Sequence, residues 1–242
     1  MASSLSRNML LSCEHATNSI PDRFRHLFAG AGDILGSHRG WDPGAIDIAC
    51  ALRDALNAPL YTYPYTRLLI EPNRSERHPG LFSEYTASLS RDEKAGLINS
   101  FYKPYRRSVE EQIEKLIAEH FPFVHLSIHT FTPNLNGSIR DLDIGLLYDP
   151  SRPEEKQFCK QLKQALLKRN PGLRVKMNRP YKGVSDGFTT ALRRTFGVVY
   201  RGVELEVNQH YFTGSDHTKA SMLETLSTGF LEMRQAASGN SI

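Results

Sequence analysis

The chain has 242 residues, of which 40% are hydrophobic and 23% charged, and its formal net charge is +4. This composition excludes a wholly disordered chain, a coiled-coil rod and a collagen-like repeat. No linker, internal repeat or low-complexity tract divides it, so residues 1–242 read as a single domain.

The elements follow in chain order. Asn8 to Cys13 carries Met9, Leu10 and Leu11, a short apolar run suited to a buried first strand. Ala45 to Leu56 repeats apolar residues at helical spacing (Ala45, Ala49, Leu52, Leu56). Pro59 to Tyr63 reads as a second strand. Arg91 to His120 reads as a long helix interrupted near Pro104, with Ser90 and Glu93 as a capping box at its start. In Phe123 to His129, Val124, Leu126 and Ile128 share one face of a strand, and His125, Ser127 and His129 share the other. Asp143 to Tyr148 is a short strand and Pro153 to Arg169 a helix with Pro153 in its first turn. Leu173 to Met177 and Val198 to Val207 read as strands, a helix begins at Phe188, and His217 to Ala236 closes the chain as an amphipathic helix. Six strands alternating with helices predict α/β architecture: a three-layer αβα sandwich with a mixed, mostly parallel sheet.

No run approaches the ~18 apolar residues of a membrane-spanning helix. The N-terminal apolar run is too short for a signal peptide, and a cytoplasmic location without membrane contact is expected. Cys13, Cys50 and Cys159 are odd in number and widely spaced, so reduced thiols are expected. The basic runs, Arg106-Arg107 and Arg193-Arg194, are short. No nucleic-acid partner is expected, and scattered arginines suit an anionic small molecule equally well.

Ligands of such sheets gather outside the carboxyl ends of the strands. Glu14-His15 follows the first strand and His129 ends the alternating one. As parallel neighbours these strands bring the two imidazoles together, and two imidazoles with one carboxylate are a common catalytic zinc set. Asp42, in a Gly/Pro-punctuated loop, is the first choice for the carboxylate, although it also suits a helix N-cap. Glu14 is the rival. A single strand-end histidine is more often structural. In Val203 to Gln209, Glu204, Glu206 and Asn208 share one face. On a central strand such carboxylates need positive charge, whereas on an edge strand they need only water. Arg67-Leu-Leu-Ile-Glu-Pro-Asn73-Arg74 is an apolar run leading into a donor pair that matches a carboxylate. The loop from Asn178 to Gly187 either covers a site or merely connects elements.

Taken together, these stretches resemble the N-formylglutamate amidohydrolase family of zinc carboxypeptidase-like hydrolases. The matching segments are Ser12 to Pro21, Trp41 to Ala45, Arg67 to Arg74, Ile128 to Pro133, Asp143 to Tyr148, Tyr181 to Gly183 and Glu204 to Gln209. The resemblance implies a zinc exopeptidase-like fold and metal-dependent hydrolysis of the amide of an N-acyl amino acid such as N-formylglutamate. It implies one Zn2+ held by His15, Asp42 and His129, with Glu206 as general base. It also implies that Asn73 and Arg74 grip a substrate carboxylate or polarise the carbonyl. Arg74 is expected as the oxyanion donor, and a further cation such as Arg140 or Lys182 is expected to help fix the carboxylate. The first motif departs from the family's usual Pro-His-Ser-Gly, reading Cys13-Glu14-His15-Ala16, which leaves the acyl group and the amino acid open. A carboxypeptidase-type ligand three residues after the first histidine is also missing, since that position is Asn18. The competing readings are a deacylase or peptidase for another amide and a non-enzymatic basic protein that binds anions. Oligomeric state is not legible.

Overall fold

Six strands join one mixed sheet, and the order of the elements explains why its centre carries the polar residues. In the computed structural model, residues 8–239 are described. In chain order the elements are β1 (Met9–Cys13), α1 (Gly32–Gly36), α2 (Ala45–Leu56), β2 (Leu60–Thr62), α3 (Arg91–Leu97), α4 (Lys103–Ala118), β3 (Val124–Phe131), β4 (Asn134–Leu135), β5 (Ser138–Ile139), β6 (Ile144–Leu147), α5 (Pro153–Arg169), β7 (Val175–Met177), α6 (Phe188–Phe196), β8 (Gly202–Asn208), α7 (His210–Thr213) and α8 (Asp216–Gly239). The large sheet runs β2-β1-β3-β8-β6-β7, and β4-β5 form a separate hairpin. β2, β1, β3 and β8 are mutually parallel, and β6 joins β8 antiparallel.

The two faces of the sheet have different chemistry. Leu11, Leu126, Ile128, Val203, Leu205 and Val207 face a core built with α2, α5 and α8. Leu10 and Phe123 face a second core with α4, α6 and the aromatic rings of Tyr63, Tyr105 and Tyr200. The expected αβα sandwich is therefore present. Each layer buries apolar surface at roughly 25 cal/mol per Å² removed from water.

The long helical stretch is continuous with a local change of pitch. A π-helical turn, Ile98–Tyr102, links α3 to α4. The Lys103 N–H reaches back to Ile98 O, and Pro104 falls in the first turn of α4, where its missing N–H costs little. The Ser90–Glu93 capping box forms as read. The expected strand from Val198 starts later. Gly197–Val199 is a 3-10 turn, Gly197 takes φ +62°, and pairing begins at Gly202. Val198 points to solvent while Tyr200 turns inward to the second core.

β1 leads by α2 to β2 on one side, and the chain then returns to place β3 on β1's other side. The carboxyl ends of β1 and β3 thus flank a topological switch point, where side-chain packing leaves room for a ligand.

Candidate active site

The C-terminal ends of β1, β3 and β8 deliver the central side chains. β8 is an interior strand, so Glu204 and Glu206 do not stand at a solvated edge. The register pairs Ser127 with Glu204 and His129 with Glu206, placing all four on one face. His15 lies two residues beyond β1. A backbone bond from Asp42 N–H to His15 O (3.0 Å) brings the loop before α2 beside it. That loop turns at Gly44, whose φ of +88° and close approach to the Phe212 ring suit glycine. Gly44, not Asp42, is the N-cap of α2, and it makes no side-chain cap bond. The Asp42 carboxylate is left facing the imidazoles.

His15 Nδ1 lies 3.1 Å and His129 Nδ1 2.9 Å from the same oxygen, Asp42 Oδ2. The ring centroids are 4.9 Å apart. One donor atom from each of the three residues falls within 4.8 Å of the others, and all three residues are buried. The opposite ring nitrogens are held by carboxylates: His15 Nε2 lies 2.6 Å from Glu71 Oε1, and His129 Nε2 lies 3.2 Å from Glu14 Oε2. Glu14 also accepts from the hydroxyls of Tyr105 (2.8 Å) and Ser127 (2.6 Å). Glu71 takes Arg67 at 2.6 Å, and Arg67 reaches Asp42 at 3.4 Å.

Burial alone would raise all three carboxyls. The His129 ring and the Ser12 and Ser127 hydroxyls instead hold Glu14 well below the usual carboxylate range. His15 and His129 do the same for Asp42, and Arg67, His15 and the Asn73 N–H for Glu71. Burial would lower His129, but Asp42 and Glu14 raise it well above an ordinary imidazole. A donor set of two imidazole nitrogens and a carboxylate, each ring oriented from behind by a carboxylate, fits a divalent cation in ligand type and in outer support.

Glu206 differs from these acids. It is buried, its Oε2 makes no hydrogen bond among the described residues, and burial pushes its pKa up to about 8. The Asp42 and Glu204 charges add to that rise, while His129 and Arg140 oppose it. A cavity of about 300 Å³ opens above these groups, lined also by Asn73, Arg74, Tyr181 and Lys182. Asn73 Oδ1 accepts from Phe188 N–H at the start of α6 (2.8 Å), so its amide nitrogen is the end turned to the cavity, 3.4 Å from His129 Nε2. Arg74 donates to the Asp186 carbonyl across the cavity wall. Lys182 is exposed at the rim. Arg140 does not line this cavity. Its guanidinium donates to the Tyr181 hydroxyl (2.9 Å) and stacks 4.9 Å from that ring, so it reaches the site by its charge and by holding Tyr181.

The structure thus brings together His15, Asp42, His129, Glu206, Asn73 and Arg74. No site role was legible for Glu71, Arg67, Ser127 or Tyr105, although Ser127 shares the histidines' face of its strand and Arg67 opens the run that leads to Arg74. For Glu71 a signal existed: Arg67 opens the apolar run Leu68 to Ile70 and Glu71 closes it, a four-residue spacing that serves an ion pair.

The sequence model of the N-formylglutamate amidohydrolase family matches residues 7–213. The chain belongs to that family. It is accordingly a hydrolase of carbon–nitrogen bonds in amides other than peptides, and the reading as a non-enzymatic anion binder gives way. A gene product of Agrobacterium tumefaciens shares the structure with a TM-score of 0.78 and 25% identity, over 98% of this chain and 94% of that one. N-formylglutamate amidohydrolase from Ralstonia eutropha JMP134 aligns with a TM-score of 0.71 and 18% identity, over 95% and 93%, which speaks to the fold. No curated protein matches the sequence. Among the described residues, no helix is long and apolar enough to cross a membrane.

Proposed function

We propose that this family member hydrolyses the amide of a carboxylate-bearing N-acyl amino acid, with N-formylglutamate as the reference substrate, and depends on a divalent cation, zinc by donor chemistry. His15 Nδ1, Asp42 and His129 Nδ1 would hold it. A cation there would acidify water and polarise the scissile carbonyl. The observation that carries the reading is the buried Glu206 carboxyl one strand across from His129 at the cavity wall, whose Oε2 has no hydrogen-bond partner among the described residues.

Glu206 takes the proton of the attacking water as the C–O bond forms, and gives it to the amine nitrogen as the C–N bond breaks. The products are a carboxylic acid, formate for a formyl substrate, and an amino acid. A pKa of about 8 in the cation-free protein, drawn down by a cation beside it, suits a group that must both accept and donate near neutrality. Arg74 and the Asn73 amide nitrogen offer donors to the substrate's carbonyl oxygen or carboxylate. Fixed donors of this kind are worth about 3–4 kcal/mol at a developing oxyanion. Lys182 at the rim offers a second cationic contact.

The experiment is a panel of N-formyl, N-acetyl and longer N-acyl derivatives of glutamate, aspartate and leucine, with amino acid release as the readout. Formyl and acidic members are expected to give the highest kcat/KM. Equal rates for leucine and glutamate derivatives would remove the carboxylate requirement, and no release from any member would overturn the reading.

Two further outcomes follow from the geometry. Glu71→Gln is expected to weaken cation affinity by about 10–100-fold, because it loosens the support of His15. Competition against a chromophoric chelator measures this, and unchanged affinity would remove Glu71 from that role. Cation binding should also release protons. In the cation-free protein His129 carries a proton, since its pKa is raised, and a ligating Nδ1 must lose one. Affinity should therefore fall as pH is lowered. Calorimetry in buffers of different ionisation enthalpy checks this, and buffer-independent heats would contradict it.

A further inference from the structure

We infer that Arg106 is a positioning residue that holds the Asn73–Arg74 turn in register with the cavity. This rests on the proposed role of Arg74. Arg106 and Arg107 are adjacent in sequence but differ in fate. Arg107 is exposed and paired with Glu111 and Glu114 on α4. Arg106 is 8% exposed and forms no ion pair with the described residues. Its Nη1 donates to two carbonyls, Pro72 O at 3.1 Å and Arg74 O at 3.2 Å, which bracket Asn73.

The guanidinium is also clamped by rings. It lies 4.2 Å from the Phe188 centroid and 4.9 Å from that of Tyr102. Both residues touch the same turn: the Tyr102 hydroxyl donates to Arg74 O (2.7 Å), and Phe188 N–H donates to Asn73 Oδ1 (2.8 Å). One buried cation thus ties α4, the first residue of α6 and the turn that aims Arg74 and Asn73.

A largely buried guanidinium with no carboxylate in direct contact, only the charge of Glu110 one turn along α4, is a costly way to fill a core, and an apolar side chain of similar volume would serve stability as well or better. What arginine supplies is a planar donor, stacked on rings, that satisfies two carbonyls outside any helix or strand. Loss of that restraint frees the turn to shift, and about 1 Å of misplacement can cost about 10²-fold in rate.

The test is a double-mutant cycle on the best substrate of the acyl panel, using wild type, Arg106→Lys, Arg74→Ala and the double variant, with cation content measured for each. Arg106→Lys is expected to lose about 10²-fold in kcat/KM at full cation content. Once Arg74 is gone, the same change should cost clearly less than in wild type, only the share carried by Asn73, because coupled residues are not additive. Losses that multiply, or wild-type kinetics in Arg106→Lys, would overturn the inference while leaving Arg74 in place. Wild-type kinetics in Arg74→Ala would instead remove the role of Arg74, and this inference with it. If Arg106→Lys does not fold, Arg106→Gln, which keeps one donor, enters the same cycle with the same outcomes.

Discussion

Glu206→Gln should lower turnover by about 10²–10⁴-fold, the range that a general base contributes, with stoichiometric cation retained. The amide keeps the shape and burial of the side chain but cannot accept a proton. The stability of the cation-free proteins gives an independent check. The folded pKa of Glu206 is raised from 4.5 to about 8, so between those values the folded state binds more protons than the unfolded one. Its contribution to stability is therefore present at low pH and is lost as pH rises through that window. Wild type should lose stability relative to Glu206→Gln between pH ~4.5 and ~8, as read by denaturant melts at a series of pH values. Equal turnover in the two proteins would take the base role from Glu206, and parallel stability curves would mean that the carboxyl ionises freely.

His129→Ala should have the larger structural effect. It removes a cation donor and the positive partner of two buried carboxylates, since Asp42 lies 2.9 Å from Nδ1 and Glu14 3.2 Å from Nε2. Breaking a buried charge pair from one side typically costs about 3–5 kcal/mol. A lower Tm, loss of tightly held cation and turnover at background are expected together. Full cation occupancy in this variant would mean that the donors lie elsewhere.

The parts of this molecule that were legible in the sequence share one property: local periodicity reported them. Val124 to His129 alternates every second residue, and that alternation alone puts its histidines on one face with Ser127, whatever strands lie beside them. Glu204 and Glu206 were legible as a pair, but not as central or edge. That depended on β6 pairing antiparallel with β8, a long-range event that leaves no mark in either strand. Asp42 could be a helix cap or a ligand until Gly44 was seen to take the cap position. Glu14 and Asp42 are interchangeable by sequence, and only the fold assigns Glu14 to Nε2 and Asp42 to Nδ1 of His129. Glu71, Ser127 and Tyr105 gain their meaning only where distant segments meet, at separations of 56 and 91 residues for His15–Glu71 and Glu14–Tyr105. Arg106 shows the converse. Composition makes it half of a surface basic run, whereas packing buries it between two rings.

Amide hydrolysis through a cation held by His15, Asp42 and His129 beside Glu206 is tested most directly by following N-formyl-L-glutamate hydrolysis on one sample, with elemental analysis, before chelation, after chelation and after zinc is restored. One zinc-class ion per chain, activity that disappears with it, and recovery at a single equivalent are expected. Undiminished hydrolysis by the stripped protein would contradict this cation-dependent route.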